Sequence, residues 1–343
     1  MVDVRDVTII GGGPTGLFGA FYAGMRGASC RIIDSLPELG GQLTALYPEK
    51  YIYDVAGFPK VLAKDLVKGL TEQGLQFGAQ VLLNQEVTGL TREPVDGEEM
   101  FVLDTPSGRH GTRTILIAAG IGPFAPRRLG LKDEARWLER GLHDRVVQPE
   151  VFRGKRVLIV GGGDSAFDWA ANLHGVAASV LQIHRSANFK AHEATVRQVE
   201  ALCAAKAMEL RTFWEVKALH GAGGVEGATL VNTKTKAEER VETDAVLALL
   251  GFISRLGAVA SWGIAIAKDE LLVNSSMETN RPGIYAAGDI VAYAGKLKLI
   301  ATAVAEAAVA VNGAVRYIHP DAKFAPGHSS AMEHLFTQPS PTS

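Results

Sequence analysis

The sequence is poor in cysteine and has no long hydrophobic run. Cys30 and Cys203 are the only cysteines among 343 residues, which argues against a disulfide framework, a zinc site or a Cys-x-x-Cys redox pair. No apolar segment approaches the ~20 residues that cross a bilayer, so we expect no membrane partner. The N-terminus lacks the charged and apolar regions of a signal peptide, and we expect a cytoplasmic protein.

The chain also has no large excess of positive or negative charge. Lys and Arg total 35 against 37 Asp and Glu, a formal charge of -2, so nothing in the whole-chain balance points to nucleic acid. A hydrophobic fraction of 47% is that of an ordinary globular protein. The length predicts two domains, and we expect no metal site.

One pattern occurs twice along the chain. An apolar strand-like run, at 7–10 and again at 157–160, breaks into glycines and is followed by a helical stretch. A second strand-like run follows each helix, at 29–34 and at 179–185. This order predicts two βαβ units.

Each glycine segment fits the fingerprint of a dinucleotide-binding loop. Glycines let the backbone approach a pyrophosphate, whose charge then lies at the helix N-terminus. Ala replaces the third glycine of the second copy, which the fingerprint tolerates. The alternative is a purely structural tight turn. The candidate binding residues are Gly11, Gly13, Pro14, Thr15 and Gly16 in the first copy and Gly161, Gly163, Asp164, Ser165 and Ala166 in the second.

The ends of the two second strands differ in charge. Asp34 is placed to accept hydrogen bonds from the ribose of FAD or NAD. Arg185 puts a cation at the corresponding place in the second copy, with His184 and Lys190 nearby, which favours the 2′-phosphate of NADP(H). The alternative for Arg185 is a solvated surface residue.

A third motif lies near the C-terminus. A strand-like run ends in Gly288-Asp289, and a helical stretch from Leu299 to Val311 follows, which we expect Asn312-Gly313 to end. Asp289 can accept hydrogen bonds from ribitol hydroxyls, and the helix N-terminus favours the negative charge of a reduced flavin. Judged alone, Asp289 would be a helix cap.

These motifs, in this order, resemble the thioredoxin reductase family from Val7 to about Asn312. The resemblance implies an α/β fold with two Rossmann-like, three-layer nucleotide-binding domains, in which an NADPH domain is inserted into a discontinuous FAD domain. We place the first segment of the FAD domain at 1–121, the NADPH domain at 122–248, the second segment of the FAD domain at 249–318 and a C-terminal extension at 319–343.

The Cys-x-x-Cys pair of thioredoxin reductases is missing ahead of the second glycine motif, so dithiol exchange through the protein is excluded. The segment 40–59 and the tail 326–330 are instead similar to the thioredoxin-reductase-like (type 2) ferredoxin:NADP+ reductases. By this resemblance Tyr47 stacks on one flavin face and the tail covers the other. The resemblance assigns catalytic roles at the flavin to Tyr47, His328 and Ser329. It assigns FAD contacts to Gly41, Gln42, Leu43, Tyr47, Val87, Phe124 and Ser330.

The resemblance implies an FAD-dependent enzyme that passes electrons between NADPH and ferredoxin, an acidic iron–sulfur protein, or flavodoxin, and that forms a homodimer. Delivery of electrons to a quinone or to oxygen is an alternative, and a non-catalytic redox-sensing flavin module is another. The chain departs from the family at one point. The family usually reads His-Arg-Arg with a later Arg, whereas this chain has Ser186 and Lys190 at those positions, so one phosphate-binding arginine is missing.

Overall fold

The computed structural model describes residues 3–122, 125–138, 140–144, 148–253, 256–324 and 327–332. The chain forms two compact units, one from Met1–Pro123 with Ser254–Ser343 and the other from Phe124–Ile253. The second unit is therefore inserted into the first, and its bounds lie within five residues of the predicted 122–248.

The first unit contains a seven-stranded sheet flanked by helices. The strands of the whole first unit, which include those of smaller sheets, are numbered along the whole chain. They are β1 (Val4–Ile10), β2 (Cys30–Ile33), β3 (Tyr51–Ile52), β4 (Val61–Leu62), β5 (Gln80–Leu82), β6 (Gly89–Val95), β7 (Glu98–Thr105), β8 (Gly108–Ile117), β19 (Ile266–Ala267), β20 (Glu270–Leu272), β21 (Ile284–Ala286) and β22 (Val291–Ala292). Its helices are α1 (Pro14–Met25), α2 (Gln42–Leu46), α3 (Ala63–Leu75) and α7 (Ile300–Ile318), with 3₁₀ turns at Gly257–Ser261, Gly288–Ile290 and Ser329–Ala331.

The sheet runs in the order β5-β2-β1-β8-β7-β6, and β21 also pairs with β8. The pairs β1–β2, β1–β8, β2–β5 and β8–β21 are parallel. Ile9 lies opposite both Ile32 and Leu116 in this register. All three side chains are fully buried, because they face α1 and α7, whose residues belong to the same core cluster. The carboxyl ends of β1, β2, β8 and β21 therefore share one edge.

The last helix of this unit is longer than predicted. We expected it to end at Asn312-Gly313, but α7 continues to Ile318. Gly313 packs against a neighbour, since a Cβ there would lie 2.7 Å from the ring of Tyr285. Asn312, Ala314 and Val315 are buried, so tertiary packing outweighs the helix-ending tendency of Asn-Gly.

The second unit contains a five-stranded parallel sheet in the order β10-β17-β11-β12-β13 and an antiparallel meander β14-β15-β16. Its strands are β9 (Ala125–Pro126), β10 (Leu142–His143), β11 (Arg156–Val160), β12 (Ser179–His184), β13 (Glu209–Thr212), β14 (Trp214–His220), β15 (Gly227–Asn232), β16 (Glu238–Glu242), β17 (Ala245–Ala248) and β18 (Phe252–Ile253). Its helices are α4 (Glu134–Trp137), α5 (Asp164–Leu173) and α6 (Glu193–Ala204), with a 3₁₀ turn at Pro149–Phe152.

Both predicted βαβ units are present, as β1-α1-β2 and β11-α5-β12. Within the described residues, no helix combines the length and the apolar character needed to cross a membrane.

Candidate functional site

The first glycine loop joins β1 to α1. Gly13 is the N-cap of α1 in extended conformation and Pro14 is the first helical residue. Proline suits this position because its missing N–H would have no helical partner there. The remaining backbone N–H groups of the first turn, including those of Thr15 and Gly16, form an anion site when a phosphate approaches.

Gly16 sets how closely α1 approaches β1. A Cβ at this position would lie 1.9 Å from the carbonyl oxygen of Gly11 and 3.3 Å from Ile9 Cγ2. The first of these distances is far inside van der Waals contact, so only glycine fits here. The third glycine of the fingerprint is therefore a packing residue.

Asp34 follows β2 and bonds to the glycine loop. Its Oδ2 accepts a hydrogen bond from the N–H of Gly12 at 2.5 Å, and its Oδ1 accepts one from Leu36 at 2.8 Å. Burial raises the pKa of the carboxyl, while these backbone donors oppose that rise. Each oxygen retains lone-pair capacity, so Asp34 can hold a ribose hydroxyl at the loop.

The segment that carries Gly41, Gln42 and Leu43 packs on the same loop. The N–H of Gly40 donates to the carbonyl of Gly12 at 2.9 Å, and a Cβ on Gly41 would lie 3.0 Å from Gly13 Cα. Leu43 is buried and anchors α2. The amide of Gln42 donates to Asp289 Oδ2 at 3.3 Å, which joins two predicted FAD ligands that are 247 residues apart.

Tyr47 is the C-cap of α2 and is half-buried. Burial raises the pKa of its phenol, and the carboxylates of Asp289 and Asp54 raise it further. Tyr47, Gln42 and Asp289 thus belong to one cluster. An aromatic face beside amide and carboxylate groups can hold a planar ring and its hydroxylated chain.

Gly288 and Asp289 are held by a buried ion pair that sequence reasoning missed. Gly288 has φ +86, and a Cβ there would meet Thr15 Oγ1 at 2.7 Å. Its N–H donates to Glu306 Oε2 at 2.8 Å. Lys296 Nζ lies 2.6 and 2.7 Å from the two oxygens of Glu306, and the side chains of Lys296 and Glu306 are only 7% and 5% exposed.

Tyr293 completes this network. Its hydroxyl donates to Glu306 Oε1 at 2.6 Å. This hydrogen bond is the main cause that raises the pKa of Tyr293 to about 12, with burial second. A Lys and a Glu ten residues apart carry no sequence signal of burial, because charged side chains are ordinarily solvated.

The other residues that were predicted to bind FAD lie in different surroundings. Val87 is buried in the core beside Ile33, at the end of β2. Phe124 lies outside the described residues. The tail residues His328, Ser329 and Ser330 are exposed.

The second glycine loop repeats the first with one difference. Gly163 is the extended N-cap of α5, and no atom would lie within 4 Å of a Cβ there. Asp164 and Ser165 lie in the first turn and are at least partly accessible, whereas Ala166 is fully buried. The helix therefore stands far enough from the loop to accommodate a methyl group, unlike α1 at Gly16.

The segment after β12 folds back over this loop. The N–H of Lys190 donates to the carbonyl of Gly162 at 2.8 Å, and that of His192 donates to Asp164 Oδ1 at 2.8 Å. The ring of His184 packs on the loop, since a Cβ on Gly162 would lie 2.5 Å from it. Burial lowers the pKa of His184, and the charge of Arg185 lowers it further.

Arg185 is exposed at the carboxyl end of β12. A cation there and an acid, Asp34, at the corresponding place in the first unit are the pattern expected of a protein with two different dinucleotide ligands.

The chain belongs to the pyridine nucleotide-disulphide oxidoreductase family, whose model matches residues 5–307. It is 49% identical to the ferredoxin–NADP reductase of Thermus thermophilus over 329 residues, which cover 96% of this chain and 97% of that protein. It is 50% identical over 329 residues to ferredoxin–NADP reductase 2 of Bacillus thuringiensis, again covering 96% and 97%. The resemblance to the type 2 reductases is confirmed.

Solved structures agree with the fold. The thioredoxin reductase of T. acidophilum matches with a TM-score of 0.74 and 25% identity, covering 91% of this chain and 98% of that one. The Lactococcus lactis enzyme matches with a TM-score of 0.75 and 24% identity over 92% and 99%. The predicted two-domain α/β fold is confirmed.

Proposed function

We propose that this protein is a ferredoxin:NADP+ oxidoreductase that uses FAD to transfer electrons between NADPH and ferredoxin. The observation that carries the proposal is its likeness, over 96% of the chain, to relatives named ferredoxin–NADP reductase. The cofactors are FAD and NADP(H). Cys30 is buried and Cys203 lies on α6, so no thiol pair relays the electrons.

The first unit would hold FAD. The N–H groups at the start of α1 would bind the pyrophosphate, Asp34 the adenosine ribose, and Asp289 with Gln42 the ribityl and ring region. When bound, FAD accepts a hydride and releases single electrons, which neither NADPH nor an iron–sulfur cluster does alone. The protein needs no acid or base for the hydride step, and Tyr47 would serve to position the ring.

The second unit would hold NADP(H). The N–H groups at the start of α5 would bind its pyrophosphate, because Gly163 leaves the backbone open. Arg185, His184 and Lys190 would face the 2′-phosphate. The Nε2 of His184 lies 3.3 Å from both the carbonyl oxygen of Asn188 and the hydroxyl of Ser186, which orients its ring.

An anaerobic titration tests the function. We expect NADPH to bleach the flavin absorbance near ~450 nm and the purified protein to reduce ferredoxin faster than a quinone. Equal rates with a quinone would favour the general reductase alternative, and flavin that NADPH does not bleach would favour the redox-sensing module. Flavodoxin replaces ferredoxin in a parallel assay, since either is a one-electron acceptor.

The geometry of the tail supports a homodimer in which each tail serves the other copy. Arg26, which caps the C-terminal end of α1, donates to the carbonyl of Lys323 at 2.9 Å. Arg316, near the C-terminal end of α7, lies 5.4 Å from the ring centroid of Phe324. The tail therefore starts at the end of α1 opposite the glycine loop.

The tail can cover this separation only if it is almost fully extended. The 12 residues of α1 span about 18 Å, and the five residues from Lys323 to His328 span ~17 Å only when fully extended. Moreover, Ser329–Ala331 is a 3₁₀ turn. His328 of one chain is thus poorly placed to stack opposite Tyr47 of the same chain, and we assign it to the site of a second copy.

Mixed dimers distinguish the two arrangements. A chain truncated after residue 326 keeps its FAD site but lacks the tail residues that would cover the flavin. A Gly13→Ala chain keeps its tail but binds FAD poorly. We expect the rate of hydride transfer to be altered in truncated homodimers, because the tail over the flavin must move in each turnover. We expect the wild-type rate to be restored in the mixed dimer. Restoration would fail if each tail served its own chain, and unchanged kinetics after truncation would rule out a gating role.

We also propose that the protein acts in the cytoplasm, where NADPH and reduced ferredoxin are expected.

A further inference from the structure

Ser186 follows Arg185 at the carboxyl end of β12 and carries no charge, and the structure brings another cation to that end of the sheet. We propose that Lys234, in the turn between β15 and β16, is a further specificity residue for the 2′-phosphate of NADP(H). This proposal rests on the proposed function, because it assumes that the second unit binds NADP(H).

Two hydrogen bonds of Thr233 fix the turn beside Arg185. His184 pairs with Thr212 in the β12–β13 register, so Phe213 is the next residue along, beside Arg185. The N–H of Thr233 donates to the carbonyl of Phe213 at 2.7 Å. The hydroxyl of Thr233 donates to the carbonyl of Arg185 at 3.2 Å. The residue before Lys234 is therefore hydrogen-bonded directly to the predicted phosphate ligand.

The backbone of the turn is rigid enough to present a side chain. The side-chain oxygen of Asn232 accepts hydrogen bonds from the N–H groups of Lys234 at 3.0 Å and Thr235 at 2.9 Å, an arrangement that stabilises tight turns. The ammonium of Lys234 lies 3.5 Å from the ring centroid of Phe213. A cation–π contact holds the ammonium in place without neutralising its charge.

The local charge balance leaves cations in excess. Nearby carboxylates on β16 are occupied, since Glu239 pairs with Arg211 at 3.0 Å and Glu238 pairs with Lys217. By contrast, four cations around the end of β12 form no ion pair with any residue that the structure describes. These four are Arg185, Lys190, Lys234 and Lys236.

A phosphomonoester matches this surplus. It carries up to two negative charges near pH 7 and three acceptor oxygens, so it interacts with several cations at once. A lysine contributes a point charge that does not require the fork geometry of an arginine. Lys234 can therefore supply, from a different strand pair, the charge that Ser186 does not.

The test uses the FAD-loaded protein and two probes, 2′,5′-ADP and 5′-AMP, which differ by the 2′-phosphate. Isothermal titration should show that Lys234→Met weakens 2′,5′-ADP binding about fivefold, the upper range for an exposed ion pair, and leaves 5′-AMP binding unchanged. Lys234→Glu should weaken it about 20-fold, because repulsion replaces attraction. The matched control is Lys206→Met, an exposed lysine just before β13 and thus at the opposite end of that strand.

Unchanged 2′,5′-ADP binding in both Lys234 variants would overturn the proposal, as would an equal loss for the two probes, which would mean that the turn only shapes an adenosine pocket. If the wild-type protein did not prefer 2′,5′-ADP, this proposal and the NADP(H) assignment would fail together. If that preference were present and ferredoxin were not reduced, only the proposed function would fail. Lys234 is exposed on a turn, so the variants should fold.

Discussion

The variants Gly13→Ala and Gly16→Ala should both lose FAD, but for different physical reasons. In Gly16→Ala the new methyl group would lie 1.9 Å from the carbonyl oxygen of Gly11. Relief requires α1 to move away from β1, which disrupts the core that Ile9 and Leu17 form there. Overpacking of this kind costs ~3 kcal/mol or more, so we expect a protein that is both colourless and destabilised.

Gly13→Ala should leave the fold intact. The nearest atom to its methyl group would be Gly41 Cα, at an ordinary contact distance of 3.8 Å, and its φ of -74° suits any residue. The methyl group would instead occupy the space that a pyrophosphate needs. We expect FAD affinity to fall about 100-fold, or ~2.7 kcal/mol, with the melting temperature of the apoprotein almost unchanged.

Three measurements separate the two variants: flavin content after purification, FAD affinity by fluorescence quenching, and thermal unfolding of the apoproteins. Gly163→Ala is the matched control in the second unit, because no atom would lie within 4 Å of its methyl group. It should keep FAD and lose affinity for NADP(H). A yellow Gly13→Ala protein with wild-type affinity would show that the first glycine loop is not the FAD site.

The second large effect is expected at the buried pair of Glu306 and Lys296. Glu306→Gln removes the negative charge that lies 2.6 Å from Lys296 Nζ, and an ammonium that is 7% exposed remains without a counter-charge. Breaking a buried pair on one side costs roughly 3–5 kcal/mol. We therefore expect marked destabilisation of the first unit and weaker FAD binding, since Glu306 also accepts the N–H of Gly288.

A double-mutant cycle is the decisive measurement for this pair. Lys296→Met combined with Glu306→Gln removes both charges, so stability should largely return. FAD affinity should recover with it if the turn at Gly288 is again held in place. The surface pair of Lys64 and Glu49, whose side chains are about half exposed, is the control, and Lys64→Met should change stability by less than ~1 kcal/mol. Additive losses at Lys296 and Glu306 would show that the two charges do not interact.

Much of the candidate site could be predicted from local sequence. In each unit the first strand, the glycine loop, the helix and the second strand lie within about 30 residues. An apolar run predicts each strand, glycines that break the run predict the loop, and a helical pattern predicts the helix. The carboxyl end of a strand is fixed by the same pattern. For this reason Asp34 and Arg185 could be assigned to different ligands from the sequence alone.

The sequence by itself determined the two glycine loops, the two βαβ units and the charge at each strand end, because these are properties of short, continuous segments. Only the tertiary structure decided the burial of Lys296 with Glu306, the continuation of α7 through Asn312-Gly313, the start of the tail at the far end of α1 and the position of Lys234 beside Arg185. Each depends on a contact between residues on different elements. Side-chain type and local spacing do not encode such contacts, since the same lysine or glutamate is stable in water until a partner and a closed core surround it.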